Sequence, residues 1–68
     1  MSLIPVQSSN LAAVGYDGGT LIIEFHDGRV YEYYRVPYSE YHGLMSADSP
    51  GRYFHKNINK HYAYRRLQ

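Results

Sequence analysis

Two glycine-containing turns constrain the fold of this 68-residue chain more than any other feature of its sequence. The segments Asp17-Gly18-Gly19 and His26-Asp27-Gly28 flank residues 20–25, a run rich in β-branched and aromatic residues. Glycine accepts the positive φ of tight hairpin turns, and apolar residues alternate with other residues before the first turn and after the second. The sequence therefore predicts an antiparallel three-stranded meander at about residues 10–17, 20–25 and 29–35.

The register of the first hairpin follows from a two-residue loop. With Gly18-Gly19 as that loop, Asp17 pairs with Thr20. On one face, Tyr16, Val14 and Ala12 then lie opposite Leu21, Ile23 and Phe25. The other face is mixed in polarity, and we expect it to face solvent or a partner. Its members are Ala13, Gly15, Ile22, Glu24, Val30, Glu32 and Tyr34.

The register of the second hairpin is decided by Glu32. A two-residue loop would place Glu32 on the core face, whereas a three-residue loop closed by Gly28 in the left-handed region places Tyr31 and Tyr33 there. A one-residue slip exchanges the two faces, and burying an unpaired carboxylate costs several kcal/mol. We therefore predict the second register, in which Ile23 pairs with Tyr31 and Leu21 with Tyr33.

The second half of the chain predicts two short helices, at about 38–46 and 50–58, which together cover one face of the sheet in an α+β fold. Val36-Pro37 ends the third strand, because the residue before proline avoids the α region. Pro50 suits the first position of a helix capped by Asp48 or Ser49. The helix residues expected in the core are Tyr41, Leu44, Met45, Phe54 and Ile58.

The two ends of the chain give weaker patterns. Residues 1–9 are expected to form a partly flexible lead-in to a single domain at 10–68. Residues 62–66 alternate, which predicts a short last strand, although continuation of the second helix is the alternative. Asn57 or Asn59 would end that helix in the first case.

No motif for catalysis or metal binding is present in the sequence. The chain has no cysteine, and its four histidines include no pair at the i, i+4 spacing of a helical zinc site. No serine lies in the context of an activated nucleophile. We therefore expect a non-enzyme without metal or cofactor. The absence of a signal-peptide pattern and of an apolar run of transmembrane length favours a cytoplasmic protein with no membrane partner.

Basic and aromatic residues are concentrated at the C-terminal end. Residues 1–34 carry a net charge of −3 and residues 35–68 a net charge of +4, with no acid after Arg52. Basic side chains neutralise phosphates and exposed aromatic rings stack on unpaired bases, so this mixture is typical of an RNA-binding surface, whereas a solvated basic face is the alternative. The candidate RNA-binding residues are Arg52, Lys56, Lys60, Tyr62, Tyr64, Arg65 and Arg66.

An ordered set of residues spans nearly the whole chain: Ser8-Ser9, Gly15-Tyr16-Asp17, Leu21, Phe25, Gly28, Tyr31-Glu32-Tyr33, Val36-Pro37, and Ser49-x-Gly51-x-Tyr53-Phe54 with Ile58. On these residues the chain resembles the KTSC domain, a short module named for the C-terminal end of some lysyl-tRNA synthetases and found also as small free-standing bacterial proteins. Pro50 stands where we expect a basic residue in relatives. The motif and core residues implied by the resemblance are Tyr31, Tyr33, Gly51, Tyr53, Phe54 and Ile58.

The resemblance implies a small module of uncertain function, for which the synthetase context suggests RNA binding. A second hypothesis is a protein-interaction module or homodimer that uses the mixed sheet face around Ile22, Val30 and Tyr34. The salt dependence of binding distinguishes the two hypotheses. Affinity for RNA falls steeply with ionic strength, because phosphate contacts are electrostatic, whereas association through an apolar interface depends on protein concentration.

Overall fold

The computed structural model describes residues 2–68, which form one antiparallel sheet of five strands in sequential order. The strands are β1 (Ile4–Pro5), β2 (Leu11–Asp17), β3 (Thr20–Phe25), β4 (Val30–Tyr33) and β5 (Tyr64–Arg66). The helices are α1 (Tyr38–Ser46) and α2 (Pro50–Tyr53), and α2 continues into a π-helical segment (Phe54–Ile58). The α+β class is as predicted, but the three-stranded meander is an undercount: β5 corresponds to the short last strand predicted at 62–66, and β1 was not predicted.

The register of the β3–β4 hairpin is confirmed. Leu21 lies opposite Tyr33 and Ile23 opposite Tyr31, so Glu32 is on the outer face. Gly28 has a φ of 95°, the left-handed conformation that the turn requires. The cost of burying a carboxylate was therefore sufficient to choose the register.

The β2–β3 hairpin differs from the prediction at one position. Asp17 pairs with Thr20 as predicted, and the regular register continues to Ala13. A bulge between Leu11 and Ala13 then sets Leu11, in place of Ala12, opposite Phe25. Leu11 is fully buried, so the bulge turns the larger apolar side chain into the core.

Strand β1 lies within the stretch predicted as a flexible lead-in. Ile4 and Pro5 pair with Val14 and Ala13 at the edge of the sheet, and the Val6 N–H donates to the Ala12 carbonyl over 3.1 Å. Proline has no backbone N–H to donate, and it is tolerated on an edge strand because no further strand pairs with the outer side of that strand. A two-residue strand has too little alternation to be recognised in the sequence.

The core lies between the sheet and the helices. Phe54 and Ile58 pack against the sheet as predicted, and Leu44 and Met45 close the core from α1. The buried core cluster consists of Leu11, Val14, Leu21, Ile23, Tyr33, Val36, Leu44, Phe54 and Ile58.

The second helix begins as predicted and then changes its hydrogen bonding. The Ser49 Oγ accepts the Arg52 N–H over 3.3 Å and Pro50 is the first helical residue. The Asn57 side chain donates to the Tyr53 carbonyl over 3.3 Å, competing for the acceptor that its own N–H would use in an α-helix. The π-helical segment ends before Asn59, so residues 62–66 do not continue the helix, and β5 begins at Tyr64.

Among residues 2–68, no helix is long and apolar enough to cross a membrane.

Candidate functional site

An open cleft of about 430 Å³ lies between the β3–β4–β5 side of the sheet and the π-helical segment. We call it the aromatic cleft, because five aromatic residues line it: Phe25, Tyr31, Tyr33, Phe54 and Tyr64. Its polar lining consists of Ser9, Asn10, His26, Asp27, Arg29, His55 and Asn59. Binding pockets for small molecules occupy roughly 300–1,000 Å³ and combine apolar walls with a few polar groups, so this cleft has the dimensions and composition of a site.

Strand pairing places three of the rings on one face. Tyr33 is directly opposite Tyr64 in the β4–β5 pair, and Tyr31 is two residues earlier on β4. The Tyr64 ring therefore lies 5.6 Å from the Tyr31 ring and 5.8 Å from the Tyr33 ring, between centroids. Phe54 meets Tyr33 edge-on at 5.6 Å from the π-helical segment. The result is a continuous aromatic surface whose outermost ring, Tyr64, is 58% exposed.

The hydroxyl of Tyr33 is the polar group at the bottom of the aromatic cleft. The residue is only 3% exposed, and its hydroxyl has no hydrogen-bond partner within residues 2–68. Every side-chain oxygen in residues 2–68 that is fully buried has a hydrogen-bond partner. Since the Tyr33 hydroxyl has none, it must be in contact with solvent, which reaches it through the cleft. Burial raises the pKa of Tyr33 to about 12, and the hydroxyl therefore remains a neutral donor and acceptor at physiological pH.

Arg29 and Asp27 form the rim beside the β3–β4 turn. The Arg29 guanidinium carbon lies 4.9 Å from the centre of the Phe25 ring, and its Nε donates to Asp27 Oδ2 over 2.8 Å. The Arg29 backbone N–H also donates to Asp27, over 3.1 Å, and lowers the pKa of that carboxyl. A cation held on an aromatic face by two contacts is oriented rather than loosely solvated.

The loop that precedes β2 forms another part of the lining. The His26 Nε2 donates to the Ser8 carbonyl oxygen over 2.8 Å, and the Ser8 Oγ accepts the Asn10 N–H over 3.2 Å. Ser9 and Asn10 line the cleft and, together with His55, also line a second hollow that contains Arg52 and Lys56. The aromatic cleft therefore continues into a basic hollow.

The structure divides the candidate RNA-binding residues. Arg52 and Lys56 lie in the basic hollow, Tyr64 lies in the cleft, and Arg66 faces the same side as Tyr31, its partner across β4–β5. Arg65 points to the outer sheet face, where its guanidinium is 3.8 Å from the Glu32 carboxylate.

The two remaining candidates line neither the cleft nor the basic hollow. Lys60 follows the end of the π-helical segment with a φ of 67°, so it does not continue a ridge with Arg52 and Lys56 along one helix. The Tyr62 hydroxyl donates to Glu40 Oε2 over 3.1 Å, and its ring packs against the core. Tyr62 is therefore a half-buried residue that the fold holds in place, and it lines a separate hollow beside Arg35.

The residues of the resemblance also separate. Phe54 and Ile58 are core residues, and Gly51 is buried close to the Ser8 hydroxyl. Tyr53 donates to Glu40 Oε1 over 2.6 Å. Tyr31 is on the predicted face but is only half-buried, because it lines the open aromatic cleft.

Sequence reasoning missed the polar residues that line the cleft: Asn10, His26, Arg29, His55 and Asn59. Like Ser9 and Asp27, which complete the polar lining, they come from three segments that are far apart in the sequence, and no single spacing relates them. The one available signal was the predicted register, which put Tyr31 and Tyr33 beside the turn that carries His26 and Arg29. Within residues 2–68, no group of three or more His, Cys, Asp or Glu side chains could hold a metal ion.

Comparison with known proteins finds the same domain in several settings. A family model described as the KTSC domain matches residues 7–62. An uncharacterized protein of Stutzerimonas stutzeri is 39% identical, over 98% of this chain and 99% of its own length. A lysine–tRNA ligase of Nostoc is 37% identical over 96% of this chain, which corresponds to only 12% of the ligase. The crystal structure of a KTSC domain protein from Yersinia pestis superposes with a TM-score of 0.91 at 34% identity, covering 98% of this chain and 97% of that one.

Proposed function

This chain belongs to the KTSC domain family, and from that premise we propose that it is a non-catalytic module that binds single-stranded RNA through the aromatic cleft and the basic hollow beside it. The observation that carries the proposal is the position of Tyr64, an exposed ring in a cleft that opens towards cations. The relationship to part of a lysine–tRNA ligase supports RNA as the partner.

The chemistry of the surface matches a single strand better than a duplex. Unpaired bases stack on exposed aromatic rings, and each stacked base contributes about 1–3 kcal/mol whatever its identity. Arg52 and Lys56 form no ion pair within residues 2–68, so their charges are available to phosphates. The Arg66 Nε donates to the Gln68 main-chain oxygen over 3.2 Å, and its other guanidinium N–H groups can contact a phosphate. Arg29 is the fourth cation nearby, but Asp27 offsets much of its charge.

This assignment revises the candidate set. Arg65 is left out because its side chain is on the other face of the sheet, and Tyr62 because Glu40 and the core hold it. Arg29 is added because it lines the cleft.

Salt titration of RNA binding tests the proposal. Three phosphate contacts at about 0.7 each predict a slope near −2 in a plot of log affinity against log salt for a single-stranded oligomer. The double variant Arg52→Gln, Lys56→Gln removes two of them and should flatten the slope by about 1.4. Fluorescence anisotropy with a labelled oligomer of mixed sequence measures both slopes.

Arg35 and Arg65 provide a matched control. Both are exposed, and neither lines the cleft or the basic hollow, so Arg35→Gln, Arg65→Gln removes the same net charge elsewhere. This control should keep the wild-type slope to within about half a unit, because it leaves the phosphate contacts in place. Equal losses in the two double variants would indicate attraction by net charge alone, and no binding at low salt would end the proposal.

The alternative proposal, a protein-interaction or homodimer surface on the outer sheet face, has less support. On that face the Tyr34 hydroxyl donates to Glu32 over 2.6 Å, and Arg65 lies beside the same carboxylate. These three polar side chains interrupt the apolar surface around Ile22 and Val30. A molecular mass that rises with protein concentration and is insensitive to salt would support the alternative instead.

A further inference from the structure

Resting on the proposed function, we infer that the aromatic cleft holds one unpaired nucleobase and that the Tyr33 hydroxyl hydrogen-bonds to the edge of that base. The inference starts from a side chain that is almost fully buried, while its hydroxyl has no hydrogen-bond partner within residues 2–68 and is open to solvent. Burial of a tyrosine usually ends with its hydroxyl on an acceptor in the protein.

The unpartnered hydroxyl restricts the chemistry of the ligand. A purely apolar group that filled the cleft would strip water from the Tyr33 hydroxyl without replacing its hydrogen bond, which is unfavourable. A ligand that fits must therefore be flat enough to lie against Tyr64 and Tyr31 and must carry a polar edge that reaches Tyr33. Nucleobases have both properties.

The neighbouring hollow accounts for the rest of a nucleotide. It contains Arg52 and Lys56 and shares His55 with the cleft, but no Tyr or Phe lines it. It therefore suits ribose and phosphate, and its only ring within residues 2–68 is that of His55, which it shares with the cleft. This division predicts one stacked base for each protein chain, with the sugar–phosphate backbone leaving over the basic hollow.

The π-helical segment provides part of this arrangement. It places Phe54 and His55 on the cleft, and Asn59, at its end, adds an amide that can donate and accept. Short π-helical insertions occur often at functional sites, because they redirect side chains that a regular α-helix would present elsewhere.

Two kinds of probe test the inference: short single-stranded RNA oligomers of each base, and the same sugar–phosphate chain without bases. We expect the wild-type protein to bind the base-containing oligomers more tightly. Tyr33→Phe keeps the ring and removes only the hydroxyl, so it should weaken binding of at least one base by about fivefold, as expected for one hydrogen bond, and leave the abasic chain unaffected. Tyr64→Ala should weaken all bases by about tenfold or more through loss of stacking.

Tyr38→Phe is the matched control. It also removes a hydroxyl without a partner in residues 2–68, but from a ring that is 62% exposed and outside the cleft, and it should bind every probe as the wild type does. Amide spectra of each variant verify that the fold is intact.

The outcomes separate this inference from the proposed function. If oligomers bind with the expected salt slope and Tyr64→Ala weakens them, but Tyr33→Phe retains full affinity for all four bases, then bases stack on the cleft without reaching Tyr33, and the inference fails while the proposed function stands. If the abasic chain binds as tightly as the oligomers, bases do not contribute to binding, and both the inference and the role of the cleft in the proposed function fail. If neither the oligomers nor the abasic chain bind at low salt, both proposals fail.

Discussion

Tyrosines on two sides of this molecule are held in opposite ways. On the α1 side, the Tyr53 and Tyr62 hydroxyls donate to the two oxygens of Glu40, over 2.6 and 3.1 Å, in what we call the Glu40 corner. In the aromatic cleft, Tyr31, Tyr33 and Tyr64 pack ring against ring, and the hydroxyls of Tyr33 and Tyr64 have no hydrogen-bond partner within residues 2–68. The same residue type therefore supports the fold in one place and provides an accessible surface in the other.

The comparison shows how a small domain can use tyrosine twice. A chain with nine tyrosines and no tryptophan depends on tyrosine rings for core volume. Where a carboxylate lies within reach, the hydroxyl is satisfied and the ring is fixed. Where none does, the hydroxyl must stay near water, which keeps a cleft open beside the core.

The largest expected effect is in the Glu40 corner and comes from Gly43 in α1. A Cβ at this position would overlap the Tyr53 ring and hydroxyl, so the ring can reach Glu40 only across a residue without a side chain. Gly43→Ala should lower the free energy of unfolding by about 2 kcal/mol through overpacking, although alanine is intrinsically the better helix former by about 1 kcal/mol. In a domain of this size that corresponds to roughly 10 °C in Tm, measurable by thermal unfolding.

Ser46→Ala is the control for Gly43→Ala, because Ser46 is exposed in the same helix. It should change Tm by about 3 °C at most, since exposed substitutions are usually within about 0.5 kcal/mol. If Gly43→Ala raised Tm instead, helix propensity would outweigh the contact with Tyr53, and the corner would be less rigid than its geometry indicates.

The next effect in size is the loss of one hydroxyl from the corner. Tyr53→Phe should cost about 1 kcal/mol, because a hydrogen bond to a charged acceptor is stronger than one between neutral groups but this one is partly exposed to water. A double-mutant cycle with Glu40→Gln measures the coupling between the two side chains by thermal or urea unfolding. Additive losses would contradict the claim that Glu40 is what holds Tyr53.

The sequence predicted the supporting parts of the fold better than the site. The two glycine turns and the cost of burying Glu32 chose the β3–β4 register, and the spacing of Phe54 and Ile58 identified the helix face in the core. These features can be read from the spacing and charge of residues close together in the sequence. The bulge at Leu11 and strand β1 were not predicted, because each depends on pairing with a neighbouring strand.

The aromatic cleft could not be predicted for a related reason. It combines one turn, the loop before β2, the π-helical segment and β5, and its boundaries depend on where the helices stop covering the sheet. The change from α to π geometry after Tyr53 has no simple pattern in sequence, although Asn57 contributes to it. The sequence therefore predicts Tyr31 in the core, whereas in the structure it is half-buried at the edge of the cleft.

The smallest expected effect is in the cleft and provides the sharpest test of the comparison. Tyr33→Phe removes a hydroxyl that has no protein partner, so at pH 7 the free energy of unfolding should match the wild type to within about 0.5 kcal/mol, although the residue is almost fully buried. A loss as large as that of Tyr53→Phe would mean that the Tyr33 hydroxyl is held by the protein, and the distinction between the two regions would fail.

The dependence of stability on alkaline pH tests whether the Tyr33 hydroxyl is buried. Burial raises the pKa of Tyr33 to about 12 in the folded protein, against 10.0 for an ordinary tyrosine, so the unfolded chain loses this proton first as the pH rises. The stability associated with the neutral hydroxyl is therefore complete below pH 10 and is lost progressively between about pH 10 and 12. Phenylalanine has no proton to lose, so Tyr33→Phe should equal the wild type at pH 7 and exceed it in Tm at about pH 11. Parallel Tm curves for the two proteins over this range would show that the Tyr33 hydroxyl ionises as readily in the folded protein as in the unfolded chain, which would contradict its burial at the bottom of the cleft.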